Sequence, residues 1–157
     1  MSASDEPVVR RAQIADADAI GELLHAFNSE FGDPTPGPRR IAERMRKLLA
    51  SGETAALLAG PGPDGLAVLR FRPAIFSDGL ECYLAELYVV PASRGRGLGR
   101  ALMDAAIALA REQGADHMEL DTTEADVAAC ALYESVGLRK RSGAGDGALS
   151  LHYEREL

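Results

Sequence analysis

Aromatic residues and basic charge are both scarce in this sequence of 157 residues. It has no tryptophan, and only 5% of its residues are aromatic, too few for a surface on which nucleic acid bases stack. Lys and Arg number 17 against 24 Asp and Glu, so the net charge of −7 repels phosphate backbones. We therefore expect no nucleic acid partner and a mild preference for cationic partners such as amines.

Cysteine and long apolar runs are scarce as well. Cys82 and Cys130 are the only thiols, and their separation fits neither a disulfide framework nor a CxxC site. No apolar run approaches the length of a membrane span, and residues 1–7 lack the basic and apolar regions of a signal peptide. These absences predict a cytoplasmic protein with reduced thiols and no membrane partner, whose residues 1–7 are flexible.

Apolar periodicity predicts four helices in a single domain over residues 1–157. The first helix follows a cap at Asp16 or Asp18 and presents apolar residues from Ile20 to Phe31, and a loop over 32–38 separates it from the second. The other helices are predicted over 41–49, from Arg96 to Gly114, and over 126–136.

Strand-like runs alternate with turn residues in the rest of the chain. The predicted strands cover residues 8–10, 54–59, 66–72, 80–90, 117–121 and 148–154. The resulting order, βααβββαβαβ, combines a meander with crossovers. It predicts an α+β fold whose sheet carries helices on both faces.

A turn rich in glycine and arginine, residues 94–101, precedes the third predicted helix. Glycine exposes backbone amides and adopts unusual dihedral angles, and a helix N-terminus attracts anions, so this segment suits a pyrophosphate. A nucleotide P-loop is excluded because the chain has no Gly-Lys pair, and the run Gly95-x-Gly97-x-Gly99 is not GxGxxG. The spacing that remains is Arg94-x-x-Gly97-x-Gly99.

This spacing resembles the signature of the GCN5-related N-acetyltransferases (GNAT): Arg or Gln, two residues, Gly, one residue, then Gly or Ala. Residues 131–138, Ala-Leu-Tyr-Glu-Ser-Val-Gly-Leu, look like the family's A-x-x-x-Tyr-Glu-x-x-Gly-Phe element. The resemblance covers nearly the whole chain. It implies a mixed, mostly antiparallel central sheet and an acyl-CoA-dependent N-acyltransferase, with acetyl-CoA as co-substrate and no metal.

The resemblance also implies where the cofactor lies. The main chain of strand residues before Pro91 would pair with the pantetheine arm, the Val89 N–H would be a candidate oxyanion donor, and the amides of 95–100 would hold the pyrophosphate. Replacement of Gly97 by Val should therefore abolish CoA affinity. Asp126 stands where many relatives place an asparagine that contacts cofactor or acceptor. The expected cofactor-binding residues are Leu87, Tyr88, Val89, Arg94, Gly95, Arg96, Gly97, Leu98, Gly99, Arg100, Ala101 and Asp126.

Amine acylation needs a base for the amine proton and an acid for the departing thiolate. Tyr133 occupies the position of the family's general acid; the alternative is a tyrosine that only packs its ring on the core. Glu86, Glu81 and Asp121 are candidate bases, and water is an alternative route for the proton. Cys130 has no neighbouring His or Lys, which favours an inert thiol over a nucleophile.

The prediction is therefore direct attack of a primary amine on acetyl-CoA. The acceptor, a small molecule or a peptide, would lie against residues 30–40 and 72–79. His25, His117 and His152 lack the spacing of metal ligands. A catalytically silent CoA-binding sensor or interaction module on the same fold is the alternative function, and a homodimer formed through the terminal strands is compatible with the family.

Overall fold

The computed structural model describes residues 7–157, in two compact units that meet in sequence at Glu119 and Leu120. Residues 1–6 of the segment predicted to be flexible lie outside the described residues. The prediction of a single domain over 1–157 stays a prediction.

The first unit is built on a five-stranded sheet in the order β1-β2-β3-β4-β5. Neighbouring strands are antiparallel except for the parallel pair β4 and β5. The predicted positions of these strands are confirmed to within two residues. The strands are β1 Val9–Arg11, β2 Thr54–Ala59, β3 Gly65–Pro73, β4 Leu80–Val89 and β5 Ala115–Glu119.

Helices cover both faces of this sheet, which confirms the α+β prediction. The helices of the first unit are α1 Ala17–Glu30, α2 Pro38–Ala50 and α3 Leu98–Glu112. Side chains of α1 and α2, including Ile20 and Met45, form one core cluster with Leu58, Leu66 and Tyr88. Alternation along the strands turns their other buried residues to the opposite face, where α3 contacts β2, β3, β4 and β5.

The helix pair α1 and α2 packs closely at Gly21. A Cβ atom added there would clash with the carbonyl oxygen of Pro38 and lie 3.1 Å from the Cβ atom of Ala42. Pro38 is the first residue of α2, where its missing N–H costs no helical hydrogen bond.

The second unit contains one helix, α4, over Val127–Ser135, and the prediction of a terminal strand at 148–154 is wrong. The structure gives this segment only one isolated bridge, between Arg141 and Leu149. Alternation of Leu149, Leu151 and Tyr153 supplied a strand pattern, but a strand also needs a neighbour along its length to satisfy its backbone groups. All three side chains are exposed.

Two kinds of feature are absent from residues 7–157. None of their helices is both long and apolar enough to cross a membrane. Over the same part of the chain, no group of three or more His, Cys, Asp or Glu side chains is arranged to hold a metal ion.

Candidate active site

The glycine-rich turn leads into α3 with its backbone amides uncovered. Gly95 and Gly97 have φ angles of 77° and 81°, and Gly97 is the N-cap of α3. An added Cβ atom at either glycine would meet no atom within 4 Å. Within residues 7–157, none of the amides from Gly95 to Gly99 donates to a backbone carbonyl. These uncovered donors at a helix N-terminus fit a phosphate group.

The end of β4 offers a free backbone edge next to this turn. β5 pairs with β4 only from Leu80 to Tyr83, so residues 84–89 have no strand partner on that side within the described chain. At about 3.3 Å per residue this open edge is about 20 Å long. It is long enough to pair with an extended ligand.

The hydrogen-bond pattern decides which β4 residues face the open edge. The Val90 N–H donates to the Asp64 carbonyl at 2.8 Å, so these two residues form a hydrogen-bonded pair. Pairs alternate in an antiparallel ladder, which places Tyr88 in hydrogen bonds with β3. The N–H and C=O groups of Leu87 and Val89 point the other way, to the open edge.

Glu86 lies at a β-bulge on the same strand. Val68 pairs with Glu86 and Leu69 with Leu84, which leaves Ala85 without a cross-strand partner. The Glu86 side chain is half-buried and makes no hydrogen bond to any described residue. Burial raises the pKa of this carboxyl group. A bulge beside a free edge re-aims a side chain, and such sites are common next to active sites.

Of the three arginines of the turn, two are paired with carboxylates. Arg94 Nη2 lies 2.9 Å and 2.8 Å from the two Glu30 oxygens, and its Nε donates to the Val89 carbonyl at 3.0 Å. Arg100 pairs with Asp104 at 3.3 Å, one helical turn away. Arg96 is exposed and forms no ion pair with a described residue. Its guanidinium is therefore available to an anion.

The contact between Glu30 and Arg94 was not identified from the sequence, which placed Glu30 only in the predicted acceptor segment. Glu30 is the last residue of α1 and precedes Arg94 by 64 positions. A lone glutamate at a helix end carries no local signal of such a partner, so only the packing of α1 against β4 could show the contact.

The other two candidate bases, Glu81 and Asp121, have charged or ionisable partners. Glu81 forms an ion pair with Arg72, which also pairs with Glu119. Asp121, in the second unit, lies 3.4 Å from His152. These contacts leave Glu86 as the candidate base with no partner among the described residues.

Tyr133 lies in α4 of the second unit, and Asp126 is the N-cap of that helix. Burial raises the pKa of Tyr133 to about 12, and the charges of Asp126 and Cys130 add to this rise. The Tyr133 hydroxyl makes no hydrogen bond to any described residue. The Asp126 side chain accepts from the Ala129 N–H at 3.1 Å and thus caps the helix. This local role accounts for an acidic residue at that position.

A cavity of about 340 Å³ opens on the first unit where β3, β4 and β5 meet. Three carboxylates and two guanidinium groups line it, together with two aromatic rings. The lining residues are Glu53, Arg70, Phe71, Arg72, Glu81, Tyr83 and Glu119.

Comparison with known proteins connects this geometry to a family. A profile of the acetyltransferase (GNAT) family matches residues 22–138. The aminoglycoside N(6')-acetyltransferase type 1 of Stenotrophomonas maltophilia is 30% identical over 141 residues, which cover 85% of this chain and 87% of that protein. The thialysine N-epsilon-acetyltransferase of Bos taurus is 28% identical over 142 residues, 83% of this chain and 82% of that protein.

Solved structures agree with this result. The crystal structure of an acetyltransferase from Arthrobacter sp. FB24 superposes with a TM-score of 0.90 at 41% identity and covers 100% of both chains. The chain therefore belongs to the acetyltransferase (GNAT) family and is an N-acetyltransferase.

Proposed function

We propose that this N-acetyltransferase transfers the acetyl group of acetyl-CoA to a primary amine by direct attack, with no covalent enzyme intermediate. The observation that carries the proposal is the adjacency of two uncovered backbone surfaces at the end of β4. The amides of 95–99 suit a pyrophosphate, and the open edge at Leu87 and Val89 suits the amide groups of a pantetheine arm.

Donor binding would use main-chain groups more than side chains. The amides from Gly95 to Arg100 would donate to the pyrophosphate, with Arg96 as the added charge. Leu98 and Ala101 would belong to the helix turn that presents these amides. Leu87 would pair with pantetheine, and the Val89 N–H would face the thioester carbonyl because the Val89 carbonyl already accepts from Arg94. The ladder commits the backbone of Tyr88 to β3.

The chemical step would use one base, one oxyanion donor and one acid. An alkylamine with a pKa near ~10.4 arrives protonated, so Glu86 would accept a proton from it, directly or through water. The neutral nitrogen then attacks the thioester carbonyl, and the Val89 N–H stabilises the oxyanion. As the C–S bond breaks, Tyr133 would give its proton to the thiolate, whose thiol has a pKa near ~8.5. The tyrosinate would then take up the second proton, which the attacking nitrogen loses on becoming an amide.

The acceptor in this proposal is a small amine. Two relatives carry such acceptors in their names, an aminoglycoside and thialysine. The cavity at β3, β4 and β5 supports a cationic acceptor because Glu53, Glu81 and Glu119 outnumber its two arginines. It extends to Arg72, where the sequence predicts the acceptor side.

The test combines donor binding with turnover. Calorimetric titration of acetyl-CoA and dephospho-CoA measures the donor site, and thiol release is then followed over a panel of aminoglycosides, polyamines, lysine analogues and peptides. Tyr133→Phe should lower kcat by about 10²-fold, as expected for loss of a general acid, with the Kd of acetyl-CoA unchanged.

Three outcomes are informative. Binding with turnover that falls in Tyr133→Phe supports the enzyme described here. Binding without turnover on any amine favours the silent CoA-binding module. No binding of acetyl-CoA would contradict the donor site.

A further inference from the structure

We propose that Glu30 is a positioning residue for the CoA pyrophosphate. It would act through Arg94, by fixing the start of the glycine-rich turn to the end of β4. This inference rests on the proposed function because it takes CoA as the ligand of the turn. It adds a residue of α1, outside the signature, to the binding machinery.

Several groups converge on the Glu30 carboxylate. Arg94 approaches both of its oxygens, and the Tyr88 hydroxyl donates to Oε1 at 2.9 Å. The ion pair with Arg94, followed by the Tyr88 hydrogen bond, holds the pKa of Glu30 below its usual value. A charge-assisted pair of this geometry is directional as well as attractive.

Arg94 itself is held in place from three sides. Its Nε donates to the Val89 carbonyl, and its guanidinium lies 5.7 Å from the centre of the Tyr88 ring. That ring is buried and stacks on Phe27 of α1 at 4.8 Å. Rigid aromatic packing therefore fixes one side of the guanidinium, and Glu30 fixes the other.

The glycine-rich turn has few other tethers among the described residues. Its two glycines of positive φ have open space beside them, and the amides that follow Arg94 donate to no described backbone carbonyl. Five consecutive amides must converge on one ligand, and each residue that is still mobile adds an entropic cost to binding. An anchored Arg94 reduces that cost before the ligand arrives.

The contact with Val89 links the anchoring of Arg94 to the open edge of β4, where the pantetheine arm would bind. The Val89 carbonyl points to the open edge of β4 and accepts a hydrogen bond from Arg94 Nε. Without Glu30, the guanidinium is free to leave this carbonyl for solvent, and the start of the turn loses its tether to β4. The Glu30 carboxylate thus decides where the signature arginine lies.

The test measures CoA affinity and kcat separately in Glu30→Ala, with Glu30→Gln as a second variant that keeps the shape of the side chain. We expect the Kd of CoA to rise about tenfold in Glu30→Ala, while kcat at saturating acetyl-CoA changes less than about twofold. Asp18→Asn is the matched control, because it removes an exposed carboxylate of the same helix that pairs with Arg46. It should leave Kd unchanged.

A double-mutant cycle with Arg94→Ala tests whether Glu30 acts through Arg94. If it does, Glu30→Ala has little further effect on Kd in the Arg94→Ala background. If the effects of Glu30→Ala and Arg94→Ala on the free energy of CoA binding are additive, the inference is overturned. It is also overturned if both Glu30 variants have the same Kd as Asp18→Asn. Wild-type protein that binds no CoA would instead contradict the proposed function.

A measurement on the ligand-free protein tests the positioning role of Glu30 independently of CoA binding. NMR order parameters of the Gly95 to Gly99 amides should fall in Glu30→Ala and not in Asp18→Asn. Unchanged order parameters would overturn the positioning role whatever the turn binds.

Discussion

Glu86 has an environment that suits its proposed role as the general base. Its carboxyl group is half-buried at the β-bulge, and burial raises its pKa. A base must be ionised, so kcat/KM should rise with pH through this raised pKa. Glu86→Gln should remove that acidic limb and lower kcat/KM by about 10²-fold. Retention of the limb in the variant would assign the base to another group or to water.

The same substitution should stabilise the fold. A carboxyl group whose pKa is higher in the folded state opposes folding once pH rises above its usual pKa of 4.5. The penalty is absent well below that pH and complete above the raised pKa. Thermal unfolding of Glu86→Gln should therefore show a higher Tm than wild type at pH 7 and an equal Tm well below pH 4.5. The substitution thus raises stability while it lowers kcat/KM. Glu81→Gln, which breaks the ion pair with Arg72, is the control.

The two thiols should differ in reactivity. Cys82 is fully buried, and burial raises its pKa to about 11, whereas Cys130 is only half-buried. A thiol reagent such as DTNB should modify one cysteine in the native protein and two after denaturation. Cys130→Ser should abolish the native reaction and retain acetyl transfer, because the proposed mechanism has no acyl-enzyme. Loss of transfer in Cys130→Ser would contradict direct attack.

At the scale of elements, the helix pair α1 and α2 depends on Gly21. Alanine normally stabilises a helix interior relative to glycine by about 1 kcal/mol. Here the added Cβ atom meets the Pro38 carbonyl oxygen and Ala42. Gly21→Ala should therefore lower the free energy of unfolding by about 1–3 kcal/mol, the usual cost of overpacking.

Urea denaturation measures this free energy. Ala26→Gly, at an exposed position of the same helix, is the control and should show only the loss of propensity, about 1 kcal/mol. A Gly21→Ala protein more stable than wild type would mean that α2 moves away at little cost.

At the scale of the whole molecule, the apolar end of the chain predicts a dimer. Leu149, Leu151 and Tyr153 are 47%, 65% and 85% exposed and alternate with polar residues. β5 pairs only with β4 within the described residues. A strand-like segment with an exposed apolar face and a sheet with a free edge are complementary, so we expect residues 148–154 to pair with β5 of a second copy.

Light scattering after gel filtration should give twice the chain mass of 16.6 kDa. Leu151→Asp should shift the protein to the monomer mass, whereas Ser150→Asp, on the polar side of the same segment, should not. A wild-type monomer at every concentration would contradict the dimer.

The amino-acid sequence by itself determined most elements and the identity of the turn. Helix and strand periodicity, the glycines of the turn and the Arg94-x-x-Gly97-x-Gly99 spacing are local features, fixed by the backbone preferences of neighbouring residues. They predicted every strand of the sheet and every helix, and the family they indicated is confirmed. The homodimer and the cytoplasmic location stay predictions.

Only the tertiary structure decided which groups the site can use. It turned Leu87 and Val89 rather than Tyr88 to the open edge, and it joined Glu30 to Arg94. It paired Glu81 with Arg72 and gave Glu86 no partner among residues 7–157. It also left residues 148–154 without the strand that their alternation predicts. A backbone direction, an ion pair and a strand each depend on a partner from elsewhere in the chain, and local pattern contains no information about that partner.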